Sequence, residues 1–184
     1  MSASEAGSPS GSTAGPPRLP APRGAPYRIS FVCLGNICRS PMADVVMTRL
    51  VDDAGLAGRV AVRSSGTGGW HVGEPMDPRA AAELAAEDYD PSAHRAQQFD
   101  ASWLEDDLVL AMDAANLDAV SDGRGASERV RLLRSFDPLA KTGDLDVPDP
   151  YYGGPDGFTD VLRMVERSCA RLLAGLEALD LPDR

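Results

Sequence analysis

The chain has 184 residues, 43% of them hydrophobic and 25% charged, which corresponds to one domain with a sizeable core to bury. Its formal net charge of −10 speaks against a protein built to grip the nucleic-acid backbone. No apolar run is long enough for a membrane span, and the three cysteines are too few and odd in number for a disulfide scaffold, so a reducing, cytoplasmic setting with thiol chemistry is expected.

Residues 1–26 hold six Pro, four Gly, five Ser and five Ala, a composition that buries too little apolar surface to offset its ordering entropy, and a disordered tail is expected there. The segment has no continuous apolar stretch of the kind a signal peptide needs. The domain is expected over residues 27–184. Tyr27 to Leu34 is apolar and β-prone and runs into the turn formers Gly35-Asn36, which predicts a first strand and a tight loop. Ser40-Pro41 then offers a polar cap followed by Pro at the first helical position, and Met42, Val45, Val46, Arg49 and Leu50 recur at helical spacing up to Gly55.

A second strand is predicted over Arg59–Arg63, followed by a Gly-rich loop from Ser64 to Gly73 and a helix opened by Asp77-Pro78 that runs to about Glu87. Asp107–Met112 reads as a third strand, Asp113–Val120 as a helix and Arg129–Leu133 as a fourth strand. A long Asp/Pro/Gly-rich loop covers Ser135–Gly157. Beyond it Phe158, Val161, Leu162, Val165, Cys169, Leu172, Leu173 and Leu176 mark a final amphipathic helix. Strands alternating with helices imply a parallel sheet with crossover helices and a ligand site at the carboxyl ends of the strands.

The chemistry lies in Cys33-Leu34-Gly35-Asn36-Ile37-Cys38-Arg39-Ser40, a cysteine and an arginine in a loop between a strand and a helix. Such a loop can turn successive N–H groups inward at a helix N-terminus and cradle an anion, and the same field favours the thiolate, the nucleophilic form of cysteine. Arg39 supplies a planar fork matched to two phosphate oxygens. Ser40 is placed either to hydrogen-bond the thiolate or merely to cap the helix. Attack on phosphorus needs a proton donor for the leaving group, and Asp149, in Asp149-Pro150-Tyr151-Tyr152, is the candidate; the same carboxylate can later take a proton from water.

These motifs resemble the low-molecular-weight protein-tyrosine phosphatases over about residues 27 to 180. The signature loop is intact from Val32 to Pro41, and the acid loop Asp-Pro-Tyr stands at Asp149 to Tyr151. The resemblance implies a single three-layer α/β domain with a four-stranded parallel sheet (order 2-1-3-4), helices on both faces, and a phosphate loop after strand 1. It further implies Cys33 as nucleophile, Arg39 as phosphate clamp and Asp149 as general acid, then base. Leu34, Gly35, Asn36, Ile37, Cys38 and Ser40 would line or hold the phosphate loop, with Ser64 and His94 supporting Asn36. Trp70, Tyr151 and Tyr152 would flank the substrate, and Cys38 would be able to form a reversible disulfide with Cys33. Gln97 and His71 stand where relatives carry charged residues of other types. No metal or other cofactor is implied. The expected substrates are phosphotyrosine proteins or small aryl phosphates, with no nucleic-acid or membrane partner and a monomeric state.

Other readings attach to the same residues. Taken alone, Cys33 and Cys38 also suit a buried pair or part of a zinc site. Asp149 alone suits an exposed turn, Trp70 a core position, and His94 a surface or supporting role; His71 is expected to be exposed and Cys169 to lie in the core. A thiol-coupled arsenate reductase and a non-catalytic phosphate or phosphotyrosine-binding module are the two rival functions.

Overall fold

The computed structural model describes residues 14–183. Its strands are β1 (Tyr27–Cys33), β2 (Val60–Gly66), β3 (Leu108–Ala111) and β4 (Val130–Leu132). They form one parallel sheet in the order β2-β1-β3-β4, as expected. The helices are α1 (Arg39–Asp53), α2 (Pro78–Ala86), α3 (Ala114–Ser121) and α4 (Asp156–Glu177), with 3-10 turns at Ala101–Glu105 and Leu133–Phe136.

Because β1 is central and covered on both faces, six of its seven residues are buried and only Arg28 is exposed. Side chains alternate between two cores. Ile29 and Phe31 join Leu108 and Leu110 under α1 and α4, against Met42, Val46, Val161, Leu162 and Val165. On the other face Val32 and Val109 meet Val120 of α3. Along α4, Phe158, Val161 and Leu162, Val165, Cys169, Leu172 and Leu176 follow one another at three- or four-residue steps and are buried, Cys169 at 0% exposure. Full burial of each such Leu, Val or Phe is worth about 1.5–3 kcal/mol, which holds this helix far better than its intrinsic propensity would.

Several boundaries depart from the sequence pattern in ways that shape the site. Helix α1 starts at Arg39 and has no side-chain cap, with Cys38 rather than Ser40 in the cap position. The Ser40 hydroxyl is taken by Cys33 and Asn36 of the preceding loop; Pro41 has no N–H and Met42 donates to the Cys38 carbonyl, which leaves the N–H groups of Arg39 and Ser40 for an anion. Strand β2 runs on through Ser64 and Ser65 to Gly66, residues expected in a loop, because pairing with β1 persists to Cys33 opposite Gly66. Helix α2 begins as expected: Asp77 caps it by accepting the Arg79 N–H at 2.8 Å, with Pro78 following.

The tail expected over residues 1–26 is corrected in part: its first 13 residues lie outside the described residues, but 14–26 run along the domain. Leu19 is buried against Gly175 of α4. The Tyr27 hydroxyl donates to the Pro20 carbonyl (3.2 Å), and Arg129 and Arg171 donate to the Ala21 and Gly15 carbonyls (3.0 and 2.7 Å). Arg23 closes the strap, its N–H donating to Asp107 at 2.7 Å. The prolines that read as disorder also restrict the unfolded chain, so fixing this segment costs less entropy than fixing a proline-free one of the same length. Among the described residues no helix is long and apolar enough to cross a membrane.

Candidate active site

Three strands end at one place: Cys33 closes β1, Gly66 closes β2 and Ala111 closes β3. Between β1 and α1 the chain makes a tight loop whose hub is Asn36, fully buried and in the left-handed region at φ 54°. That conformation costs about 1 kcal/mol or more for a non-glycine residue and persists only where the surroundings enforce it. Here they do. The Asn36 Nδ2 donates to Ser40 Oγ (2.8 Å), its Oδ1 accepts the Gln97 N–H (2.8 Å), and its carbonyl accepts from His94 Nε2 (2.8 Å). Its own N–H donates to Cys33 Sγ at 3.3 Å.

Beneath the loop lies Gly66, where a Cβ would stand 2.7 Å from the Leu34 carbonyl and 2.9 Å from the Asn36 nitrogen. Only glycine allows that approach. The strand's continuation also brings the Ser65 carbonyl to 3.2 Å from Ser40 Oγ. Ser40 therefore has one hydroxyl proton and two acceptors, the Ser65 carbonyl and Cys33 Sγ at 2.9 Å. With Cys33 as thiol, its S–H can donate to Ser40 while Ser40 donates to Ser65; with Cys33 as thiolate, the hydroxyl can turn to the sulfur, which then accepts from both Ser40 and Asn36.

Arg39 is 2% exposed. Its Nη1 donates to Asp113 Oδ2 (2.6 Å) and to the Val147 carbonyl (3.0 Å), while Nη2 donates to Asp149 Oδ2 at 3.3 Å. Burial alone would lower the guanidinium's proton affinity, but Cys33, Asp113 and Asp149 outweigh it and the net shift is upward. With Nη1 spent on the protein, the Nε–Nη2 edge is the fork left for an oxyanion.

Asp149 reaches this place because the segment after β4 is pinned along the sheet. Val147 donates its N–H to the Met112 carbonyl (2.7 Å), Arg134 donates to the Asp146 carbonyl (2.8 Å), and Asp146 accepts from the Ala114 N–H (2.9 Å). Asp149 Oδ1 accepts the Tyr151 N–H at 3.1 Å.

Together these elements enclose a cleft of about 300 Å3 floored by Cys33, Leu34, Gly35, Ile37, Cys38 and Arg39 and walled by Trp70, His71, Asp149, Tyr151 and Tyr152. Trp70 is 70% exposed and Tyr152 94% exposed, so both are rim residues and not core. A family model for the low molecular weight phosphotyrosine protein phosphatases matches residues 28–180. The chain belongs to that family. It is 53% identical over 154 residues to a low molecular weight protein-tyrosine-phosphatase of Streptomyces coelicolor, covering 82% of this chain and 93% of the relative. It is 45% identical over 141 residues to low molecular weight protein-tyrosine phosphatase A of Mycobacterium tuberculosis, covering 77% and 86%. Among solved structures, YfkJ from Bacillus subtilis superposes with a TM-score of 0.76 at 34% identity, covering 84% of this chain and 97% of that one.

Within this phosphatase fold the sequence-predicted residues meet in one place, with one exception. Ser64 makes no hydrogen bond to Asn36; its carbonyl accepts from the Gln97 side-chain amide at 3.4 Å. It pairs with Phe31, two residues short of the loop, whereas Ser65 and Gly66 stand opposite Val32 and Cys33. His94 does support Asn36, and burial pushes its imidazole below the usual value despite the opposing effect of that bond. Cys38 is buried, which pushes its thiol up to about 12, with Asp77 adding to the shift. Cys169 lies in the core against the Ala43 carbonyl, away from the cleft lining.

Two contributors were missed from the sequence. Asp113, read only as the start of a helix, both caps α3 through the Asn116 N–H (2.7 Å) and fixes Arg39. The available signal was a carboxylate just past the carboxyl end of a parallel strand. Gln97 acts through its backbone, which bonds Asn36 and Gly66 at 2.8 Å each, and no side-chain pattern reveals that.

Proposed function

We propose that this phosphatase-family chain hydrolyses phosphotyrosine and small aryl phosphates through a phosphocysteine intermediate. The observation that carries the reading is Cys33 Sγ within hydrogen-bonding reach of the Asn36 N–H and Ser40 Oγ, beside an Arg39 whose guanidinium also touches Asp149. The thiolate of Cys33 attacks phosphorus as the P–O bond to the phenol breaks, and Asp149 protonates the departing oxygen. Arg39 and the loop amides hold the equatorial oxygens, whose charge changes little in position while the phosphoryl group moves. Asp149, now ionised, takes a proton from the water that attacks phosphocysteine, releasing phosphate and restoring the thiolate. Trp70, Tyr151 and Tyr152 form the aromatic rim against which a flat ring stacks.

The same reading makes Cys38 a resolving thiol: peroxide oxidises Cys33 to the sulfenic acid, and the Cys38 thiol displaces water from it to form the disulfide. A reducing cytoplasm, in which both cysteines stay reduced, suits the activity, and a monomer carries every group it needs. Purified protein with chelator present should hydrolyse p-nitrophenyl phosphate, and Cys33→Ser should abolish turnover while keeping affinity for inorganic phosphate. Phosphotyrosine peptides should be consumed in strong preference to phosphoserine peptides. Equal turnover of the two would overturn the reading, as would thiol-dependent arsenate reduction without phosphatase activity.

A further inference from the structure

Arg79, in the first turn of α2, is half-exposed and is not itself one of the residues lining the cleft, yet it joins the two sides of the site. Its Nε and Nη2 donate to the two carboxylate oxygens of Asp77 at 3.0 and 2.8 Å, a bidentate pair across two residues. Its remaining nitrogen, Nη1, donates to the Tyr151 carbonyl at 3.1 Å, and the guanidinium lies 5.2 Å from the Tyr151 ring centroid and 4.9 Å from that of Phe158 at the start of α4. Asp77 in turn donates its N–H to the carbonyl of Ile37, in the loop beside Cys33, at 2.8 Å. Tyr151 donates its N–H to Asp149. An unbroken path therefore runs from Ile37 through Asp77 and Arg79 to Tyr151 and Asp149.

We propose that Arg79 is a positioning residue that fixes the height of Asp149 over the nucleophile, by tying the Asp149–Tyr152 segment to the same α2 cap that braces the Cys33–Arg39 loop. The inference rests on the phosphatase reading given above and assigns Arg79 no contact with substrate. The segment needs such a tie: Asp149, Tyr151 and Tyr152 are exposed or half-exposed, and the Val147 anchor lies two residues earlier than the carboxylate. Displacement of a proton donor by about 1 Å can cost up to a hundredfold in rate. A loosened Asp149 harms the reaction most where the leaving group depends on protonation.

The test compares wild type with Arg79→Met and Arg79→Lys, each checked for folding by circular dichroism and thermal melting. For Arg79→Met, kcat/KM should fall about tenfold or more for phenyl phosphate, a poor leaving group, and less than about threefold for p-nitrophenyl phosphate. The inhibition constant for inorganic phosphate should stay within about twofold, because the Cys33–Arg39 loop keeps its own supports. Arg79→Lys, which keeps the charge but not the fork, should fall between the two. In an Asp149→Asn background the same change should add almost nothing, since its effect runs through that carboxylate. Hydrogen exchange gives a readout independent of turnover: the Tyr151 amide should exchange faster in Arg79→Met while the amides of residues 34–40 are unchanged.

Equal losses on both substrates, or additivity with Asp149→Asn, would overturn the proposal. So would unchanged exchange at Tyr151 in either folded variant. If wild type itself turned over neither phosphate ester, the functional reading would fail, whereas the exchange comparison would still decide whether Arg79 holds the segment.

Discussion

Arg39 has its Nη1 committed to Asp113 and the Val147 carbonyl, so Asp113 decides which edge of the guanidinium faces the cleft. Asp113→Asn keeps a competent helix cap but removes the charge. It should lower kcat/KM for p-nitrophenyl phosphate and destabilise the fold by up to about 3 kcal/mol, because a buried guanidinium loses a carboxylate partner. A melt together with steady-state kinetics reads both effects. His94 makes a different prediction. Burial lowers its imidazole below the ordinary 6.5, so the unfolded chain takes up a proton first as pH falls. Its contribution is intact above about 6.5 and lost below that. Urea titrations between pH 8 and 5 should show stability declining below about 6.5, and the decline should be shallower in His94→Gln. Neither role could be read from spacing: Asp113 and His94 lie 74 and 58 residues from the groups they contact.

At the scale of elements, the phosphate loop rests on the end of β2. Gly66→Ala would drive a Cβ into backbone at 2.7 Å, a contact that no side-chain rotation relieves. The expected result is a loss of about 1–3 kcal/mol in stability with a disproportionate loss of activity, seen by comparing melts with p-nitrophenyl phosphate turnover. The strap over residues 14–26 behaves in the opposite way. It meets the start of β1 at Tyr27, the approach to β3 at Asp107 and the approach to β4 at Arg129, which are the amino ends of strands whose carboxyl ends build the cleft. Leu19→Ala should cost about 2 kcal/mol, lowering the melting temperature by roughly 4–8 °C for a chain of this size, with kcat/KM unchanged. A loss of activity in parallel with the melting temperature would contradict that separation.

The whole molecule carries a net charge of −10, while its reaction requires an anionic ester to reach a buried arginine. The long-range field opposes acidic substrates and the local amides and guanidinium attract the phosphate, so the two effects separate by distance. Phosphotyrosine peptides flanked by Lys or Arg should show higher kcat/KM than those flanked by Asp or Glu at low salt. The gap should narrow as ionic strength rises from about 0.01 to 0.15 M and the Debye length shortens from about 30 to 8 Å. Stopped-flow or steady-state measurements across a salt series read this directly. A gap independent of salt would mean that contacts at the Trp70 and Tyr152 rim, and not the overall field, set the preference.

The sequence by itself determined the alternation of strands and helices, the loop from Cys33 to Ser40 and the acid segment at Asp149, because hydrophobic period, turn residues and a compact motif are local properties of a chain. The tertiary structure alone decided which side chains meet. It put Ser40, not Ser64, against Asn36, and Asp113 beside Arg39. It also put Arg79 against Tyr151 and folded residues 14–26 onto α4 and the strand ends. Each of these depends on strand register and on where separate elements come to rest, and a hydrogen bond across dozens of residues leaves no periodic trace in the composition between them.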